Sequence, residues 1–138
     1  MMAWTYVIRT HCLYRPDGVL QSDDGWAGHD AGGVKAMNNP DCCHMRGIGP
    51  LPPGDYHMDV AIDHPHLGPV AIRLSYISGQ SFGRSGFWVH GASAAHPLLS
   101  SDGCIIQMRP DREAMDADND PLLRVVAEEQ DRASQAKG

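Results

Sequence analysis

Alternation of apolar and polar side chains is the first regularity along the chain. Trp4, Tyr6 and Ile8 share one face of Trp4–Thr10, the period of a half-buried strand. Cys12–Tyr14 and Val19–Ser22 flank Pro16-Asp17-Gly18, a turn signal, so these two runs are expected to pair as a hairpin. Alternation returns over Asp55–Asp63, where Tyr56, Met58, Val60 and Ile62 oppose His57, Asp59, Ala61 and Asp63. His64-Pro65-His66-Leu67-Gly68 breaks that run, and the β-branched and aromatic stretch Val70–Ile77 follows before a Gly/Ser-rich break over Ser78–Gly86. Phe87–Val89 and Ile105–Met108 are continuous apolar runs, as expected of central strands covered on both faces. Pro110 with Asp111 and Glu113 predicts a short helix to about Ala117. Pro121–Glu128 fits either a helix or a last strand, and we read it as a strand. The polar residues from Glu129 are expected to fray.

Between the hairpin and Gly54 the periodicity stops. Asp23–Pro53 holds Gly25, Gly28, Gly32, Gly33, Gly47 and Gly49 with Pro40, Pro50, Pro52 and Pro53. Structureless stretches of this length are uncommon inside a compact domain and are often functional. Two readings stand: a surface excursion packed by Trp26 and Met37, or a lid or substrate wall. The whole pattern predicts a mainly β fold, a sandwich or partly closed barrel with one or two short helices.

Composition narrows the function classes. The chain has 138 residues, 42% of them hydrophobic and 20% charged, enough for one domain with its own core. A net charge of −6 argues against a nucleic-acid surface, which needs clustered Lys and Arg. Asp111–Asp120 concentrates five of the acids, as a solvated face would. No window approaches the roughly 20 apolar residues of a membrane span. The start, MMAWTYVIRTH, has neither the basic nor the apolar region of a cleaved secretory signal, so export is expected to use another route.

The chemistry concentrates in Gly86–Met108. His90 and Gly91 close one apolar run; Ser101, Asp102, Gly103 and Cys104 open the other. A thiol and an imidazole at the ends of two adjacent strands are the parts of a cysteine nucleophile with its base. Gly103 lets a substrate carbonyl approach, and backbone N–H groups at the turn could stabilise an oxyanion. A free thiol titrates near ~8.5, so a neighbouring imidazole would be needed to supply thiolate at neutral pH. The competing reading makes Cys104 a small buried hydrophobe in a non-catalytic β-sandwich binding module.

His90-Gly91 followed by Ser101-Asp102-Gly103-Cys104-Ile105 resembles the L,D-transpeptidase active-site signature. Pro52-Pro53-Gly54-Asp55-Tyr56 resembles that fold's entry into a core strand. Gly25-Trp26-Ala27-Gly28, Asn38-Asn39-Pro40, the run Gly49–Tyr56 and the Cys segment occur in the order found in the L,D-transpeptidase-like effectors of type VI secretion systems. The end of the chain, from Arg109 and Arg112 to Leu122–Val126, is similar to that family's last helix and strand, so the likeness spans about residues 4–127. It implies one catalytic domain over residues 1–128, with 129–138 as a polar tail. It further implies an antibacterial enzyme acting on peptidoglycan stem peptides as an L,D-carboxypeptidase or L,D-transpeptidase. Cys104 would attack the carbonyl of a diaminopimelate residue at position three, release the terminal D-alanine and hold a thioester, with His90 as base and then acid. A backbone carbonyl of Ser101 or Asp102 would orient His90. Gly91, Gly103, Asn39, Arg109 and Arg112 would contribute to substrate or oxyanion binding. Partners implied are the stem peptide, a cognate immunity protein and a secretion-apparatus carrier, with action in the periplasm of a target bacterium. A phage or housekeeping wall-remodelling enzyme of the same fold is the alternative.

Two positions depart from ordinary L,D-transpeptidases, which have His where this chain has Asp102 and an Arg soon after the Cys. Arg109 and Arg112 have a second reading as solvated helix charges, and Asn39-Pro40 as a plain turn. No cofactor is expected. Neither CxxC nor HExxH occurs, so no metal is assigned despite eight histidines and Cys42-Cys43-His44. Cys12 could pair with Cys42 or Cys43 in an oxidising compartment; free thiols are the preferred reading.

Overall fold

The computed structural model describes residues 2–132. One mixed ten-stranded sheet curls into a half-barrel. β1 (Trp4–Val7) leads into the expected hairpin of β2 (Cys12–Tyr14) and β3 (Leu20–Ser22), which pair antiparallel. β4 (Trp26–Ala27) is a short strand inside the glycine- and proline-rich segment. β5 (Gly54–Met58), β6 (Ile62–His64) and β7 (Gly68–Gly79) follow, then β8 (Phe87–His90) and β9 (Ile105–Ile106). Helix α1 (Arg109–Ala117) carries Pro110 in its first turn and precedes β10 (Leu122–Val126). The strand order is β3-β2-β1-β10-β5-β7-β8-β9-β4, with β6 pairing β7.

β10 settles the helix-or-strand ambiguity at the end of the chain. It lies parallel to β1 and antiparallel to β5, so Leu123 and Val125 enter the core between two partners. The core comprises Trp4, Tyr6, Leu13, Tyr56, Ile72, Val89, Ile105 and Leu123, all at or below 1% exposure. Ile105 and Ile106 are both fully buried, as a strand covered on both faces demands.

Two expectations are corrected. The alternation over Asp55–Asp63 is split, and Val60 stands in solvent at 81% exposure. The reason is that the backbone bonds of the break go elsewhere: Asp59 N–H to Arg73 O, and Ala61 N–H to the Asp116 carboxylate. Nor does the chain fray at Glu129. Thr10 Oγ1 and Tyr14 OH donate to the Glu129 carboxylate, and the Arg132 guanidinium lies 3.3 Å from the centre of the Tyr14 ring. The remaining 133–138 of the expected polar tail lie outside the described residues.

Candidate active site

β8 and β9 run parallel, with Val89 opposite Ile105 and His90 opposite Ile106. One step back, Cys104 lies against Trp88, whose backbone N–H donates to Cys104 Sγ at 3.4 Å. Side chains two apart on a strand share a face, so His90 follows the thiol by about 7 Å of strand on the same side. The parallel register thus gives the two side chains one face of the sheet, two residues apart along the strand direction.

The imidazole is fixed by its own strand end. His90 Nδ1 lies 2.8 Å from Gly91 O, and a carbonyl can only accept, so Nδ1 carries the proton and Nε2 is left basic. The expected orienting carbonyl was that of Ser101 or Asp102. Ser101 O is instead 2.7 Å from Nδ1 of a different imidazole, His29, and Asp102 O accepts from Arg84 Nη2 at 3.2 Å. Gly91 also packs closely on the Arg112 guanidinium: a Cβ there would stand 2.9 Å from Arg112 Nη1.

The turn before the thiol is built around one buried hydroxyl. Ser101 Oγ accepts from Gly28 N–H at 2.8 Å and Gly103 N–H at 3.2 Å, and donates to Cys104 O. Gly103 has φ +134°, and a Cβ on it would fall 2.7 Å from Arg84 Nη2 and 2.8 Å from the Phe87 ring, so only glycine fits. Leu51 N–H donates to Gly103 O. The aperiodic segment Asp23–Pro53 thus packs on the turn before Cys104, supplying Gly28, His29 and Leu51 to hold it.

Arg84, in a Gly/Ser-rich stretch without periodicity, ties the same segment together. It is 6% exposed and donates to the carbonyls of Cys43, Pro50, Gly49 and Asp102 at 2.6–3.2 Å, with its guanidinium 5.1 Å from the Phe87 ring centre. Burial lowers its pKa from the ordinary arginine value, opposed by Cys43 and Tyr56. Nothing in the local sequence distinguishes it from a loop cation. The same holds for His29, whose partners lie more than seventy residues away.

Burial also governs Cys104 and His90. It pushes the Cys104 thiol up to about 11, against the Trp88 N–H, which favours thiolate. It draws His90 below the ordinary 6.5, against the bond to Gly91 O. Both shifts favour the neutral forms, a thiol at Cys104 and an unprotonated imidazole at His90. Cys43 is buried at 3% exposure and pushed up to about 12 by that burial, with its Sγ turned to Leu51 O.

The remaining expected site residues divide. Asp102 keeps its side chain 77% exposed at the mouth of the site, with Oδ1 3.6 Å from His29 Nδ1. Asn39 serves as a cap: Oδ1 accepts from Asp41 N–H and Nδ2 donates to Lys35 O. Arg109 pairs with Glu113 on the solvent face of α1. Arg112 is corrected on both of its expected readings, solvated charge and carboxylate grip. It is 6% exposed, and its fork is taken by Val70 O, Gln107 O and Pro69 O at 2.7–3.1 Å. α1 turns this residue inward, where it joins the helix to the start of β7 beneath Gly91.

Two cavities flank the pair. One, of about 280 Å³, is lined by Cys104, Arg46, Arg84, Gly86, Phe87 and Asp102. The other, about 320 Å³, is lined by His90, Gly91, His66, Gly68, Ser93 and Ser100. All four cysteines are free thiols. Among the described residues, no group of three or more His, Cys, Asp or Glu is placed to hold a metal ion, and no helix is long and apolar enough to cross a membrane.

The Tlde1 domain matches residues 24–126, a span containing every residue of the site. Among solved structures, a mutant of the helical cell shape determining protein Pgp2 from Campylobacter jejuni is similar over 93% of this chain, with 17% identity and a TM-score of 0.54. The chain covers 48% of that protein, about half its length, and the likeness is one of fold. No curated protein matches the chain in sequence.

Proposed function

Because the chain belongs to the Tlde1 domain family, the type VI secretion L,D-transpeptidase-like effectors, we propose that it is a cysteine acyl-transfer enzyme that cleaves peptidoglycan stem peptides. The observation that carries this reading is the β8–β9 register, which sets the Cys104 thiol and the His90 imidazole on one face, with Nδ1 of His90 held by Gly91 O.

With both groups neutral, attack and proton transfer go together. The Cys104 sulfur bonds to the carbonyl carbon of the third stem residue while its proton passes to His90 Nε2. The Cys104 N–H, which lies beside its own sulfur, is the donor offered to the oxyanion. The C–N bond then breaks, His90 returns the proton to the departing amine of D-alanine, and a thioester remains. Water, deprotonated by His90, adds to the thioester; the new carboxylate leaves and the thiol is restored. An amine in place of water gives exchange or cross-linking. The same reading implies action in a target periplasm after delivery by a carrier, and a cognate immunity protein in the producer.

Digestion of purified muropeptides tests the reaction. Wild-type protein should remove the terminal D-alanine from tetrapeptides, and Cys104→Ala protein should leave them intact. Intact tetrapeptides with both proteins would overturn the reading and favour a non-catalytic wall-binding module.

A further inference from the structure

The cavity beside Cys104 carries two charged side chains of opposite sign that peptide cleavage itself does not require. Arg84 is committed to four carbonyls and the Phe87 ring. Arg46 is not. It is exposed, its Nη2 donates to Gly83 O at 3.0 Å, and among the described residues it forms no ion pair. On the same cavity wall, Asp102 is anchored from behind, through its carbonyl by Arg84 and through its carboxylate beside His29, while most of the side chain faces solvent. Arg46 and Asp102 are not paired with each other. Opposite charges left apart on one cavity complement a ligand that bears both.

The direction of the strand says which part of the substrate reaches them. His90 must hand a proton to the departing amine, so the leaving residue extends past His90 into the cavity of Gly68, Gly91 and Ser93. The Arg46–Asp102 cavity lies the other way along β8, by Gly86 and Phe87, on the acyl side of the bond that breaks.

We propose that Arg46 and Asp102 are specificity-determining residues. Together they read the far end of the acyl residue's side chain and select one that ends in an amino-acid head group, an ammonium and a carboxylate on the same carbon. The inference rests on the assignment of Cys104 and His90 made above. The planar fork of Arg46 suits a carboxylate, and Asp102 accepts from the ammonium. A side chain ending in an amine alone leaves Arg46 without its partner. This gives Asp102 a task at the position where ordinary L,D-transpeptidases carry an imidazole.

Binding to the Cys104→Ala protein tests the pocket without turnover. The probes are three tetrapeptides that differ only at position three: meso-diaminopimelate, the same residue with its side-chain carboxylate amidated, and L-lysine. The first should bind about tenfold more tightly than the other two, the scale of one charge-assisted hydrogen-bonded pair. Adding Arg46→Ala should collapse that ratio to below about twofold, whereas Asp102→Asn should weaken all three, since each keeps its ammonium. Both residues are exposed, and unchanged melting temperatures would establish that the variants fold. Equal affinities for the three peptides, no measurable binding, or equal losses on all three with Arg46→Ala would overturn the proposal. Wild-type protein that binds in this order yet cleaves nothing would overturn the catalytic assignment instead.

Discussion

His90 Nδ1 is held 2.8 Å from the carbonyl of the next residue, Gly91, so the strand that carries the base also fixes its tautomer. Burial holds the imidazole below its ordinary 6.5. It must be neutral to accept a proton, so D-alanine release should be level from about pH 7.5 to 6.5 and decline only below that. The same shift lowers stability on the acid side, because below 6.5 the unfolded chain takes up the proton before the folded one does. A pH–rate profile for tetrapeptide cleavage reads this directly, and a midpoint above 6.5 would contradict it. His90→Gln should reduce the rate by about 10²–10⁴.

The resting thiol should be slow to alkylate. With Cys104 pushed up to about 11, labelling by iodoacetamide should rise roughly tenfold per pH unit from pH 7 to about 10. Mass spectrometry at the Cys104 peptide separates it from half-buried Cys12. Labelling that is already fast and independent of pH between 6 and 8 would mean a preformed thiolate–imidazolium pair, contrary to the neutral resting state.

Ser101→Ala should damage both stability and rate. It strips an acceptor from the Gly28 and Gly103 N–H groups and a donor from Cys104 O, all at the turn that presents the thiol. Leaving buried groups unpaired costs about 1–3 kcal/mol, and denaturant unfolding should show a loss in that range. Cleavage should fall even at temperatures where the variant remains folded. An unchanged rate in a folded variant would show that the hydroxyl network does not position Cys104.

Arg109 and Arg112 should behave oppositely. Arg109→Ala removes an exposed i,i+4 pair with Glu113 and should change stability by no more than about 0.5 kcal/mol. Arg112→Ala orphans the carbonyls of Pro69, Val70 and Gln107 and should cost at least about 2 kcal/mol by chemical denaturation. Equal effects from the two changes would contradict the burial of Arg112.

By itself the sequence determined what depends on near neighbours. The two-residue period placed β1 and β5, and a turn signal placed the β2–β3 hairpin, because facing and chain reversal are local properties. Cys104 and His90 stood out for the same reason, one opening an apolar run and the other closing one. Tertiary structure alone decided the parallel register of β8 and β9, and the use of Gly91 rather than Ser101 or Asp102 to orient His90. It also decided the fates of the arginines. An Arg on a helix or loop reads as solvated until distant carbonyls enclose it, as those of Val70 enclose Arg112 and those of Cys43, Gly49 and Pro50 enclose Arg84. Asp23–Pro53 was opaque because its bonds run to Ser101 and Gly103, and a segment stabilised by partners far along the chain need show no period of its own.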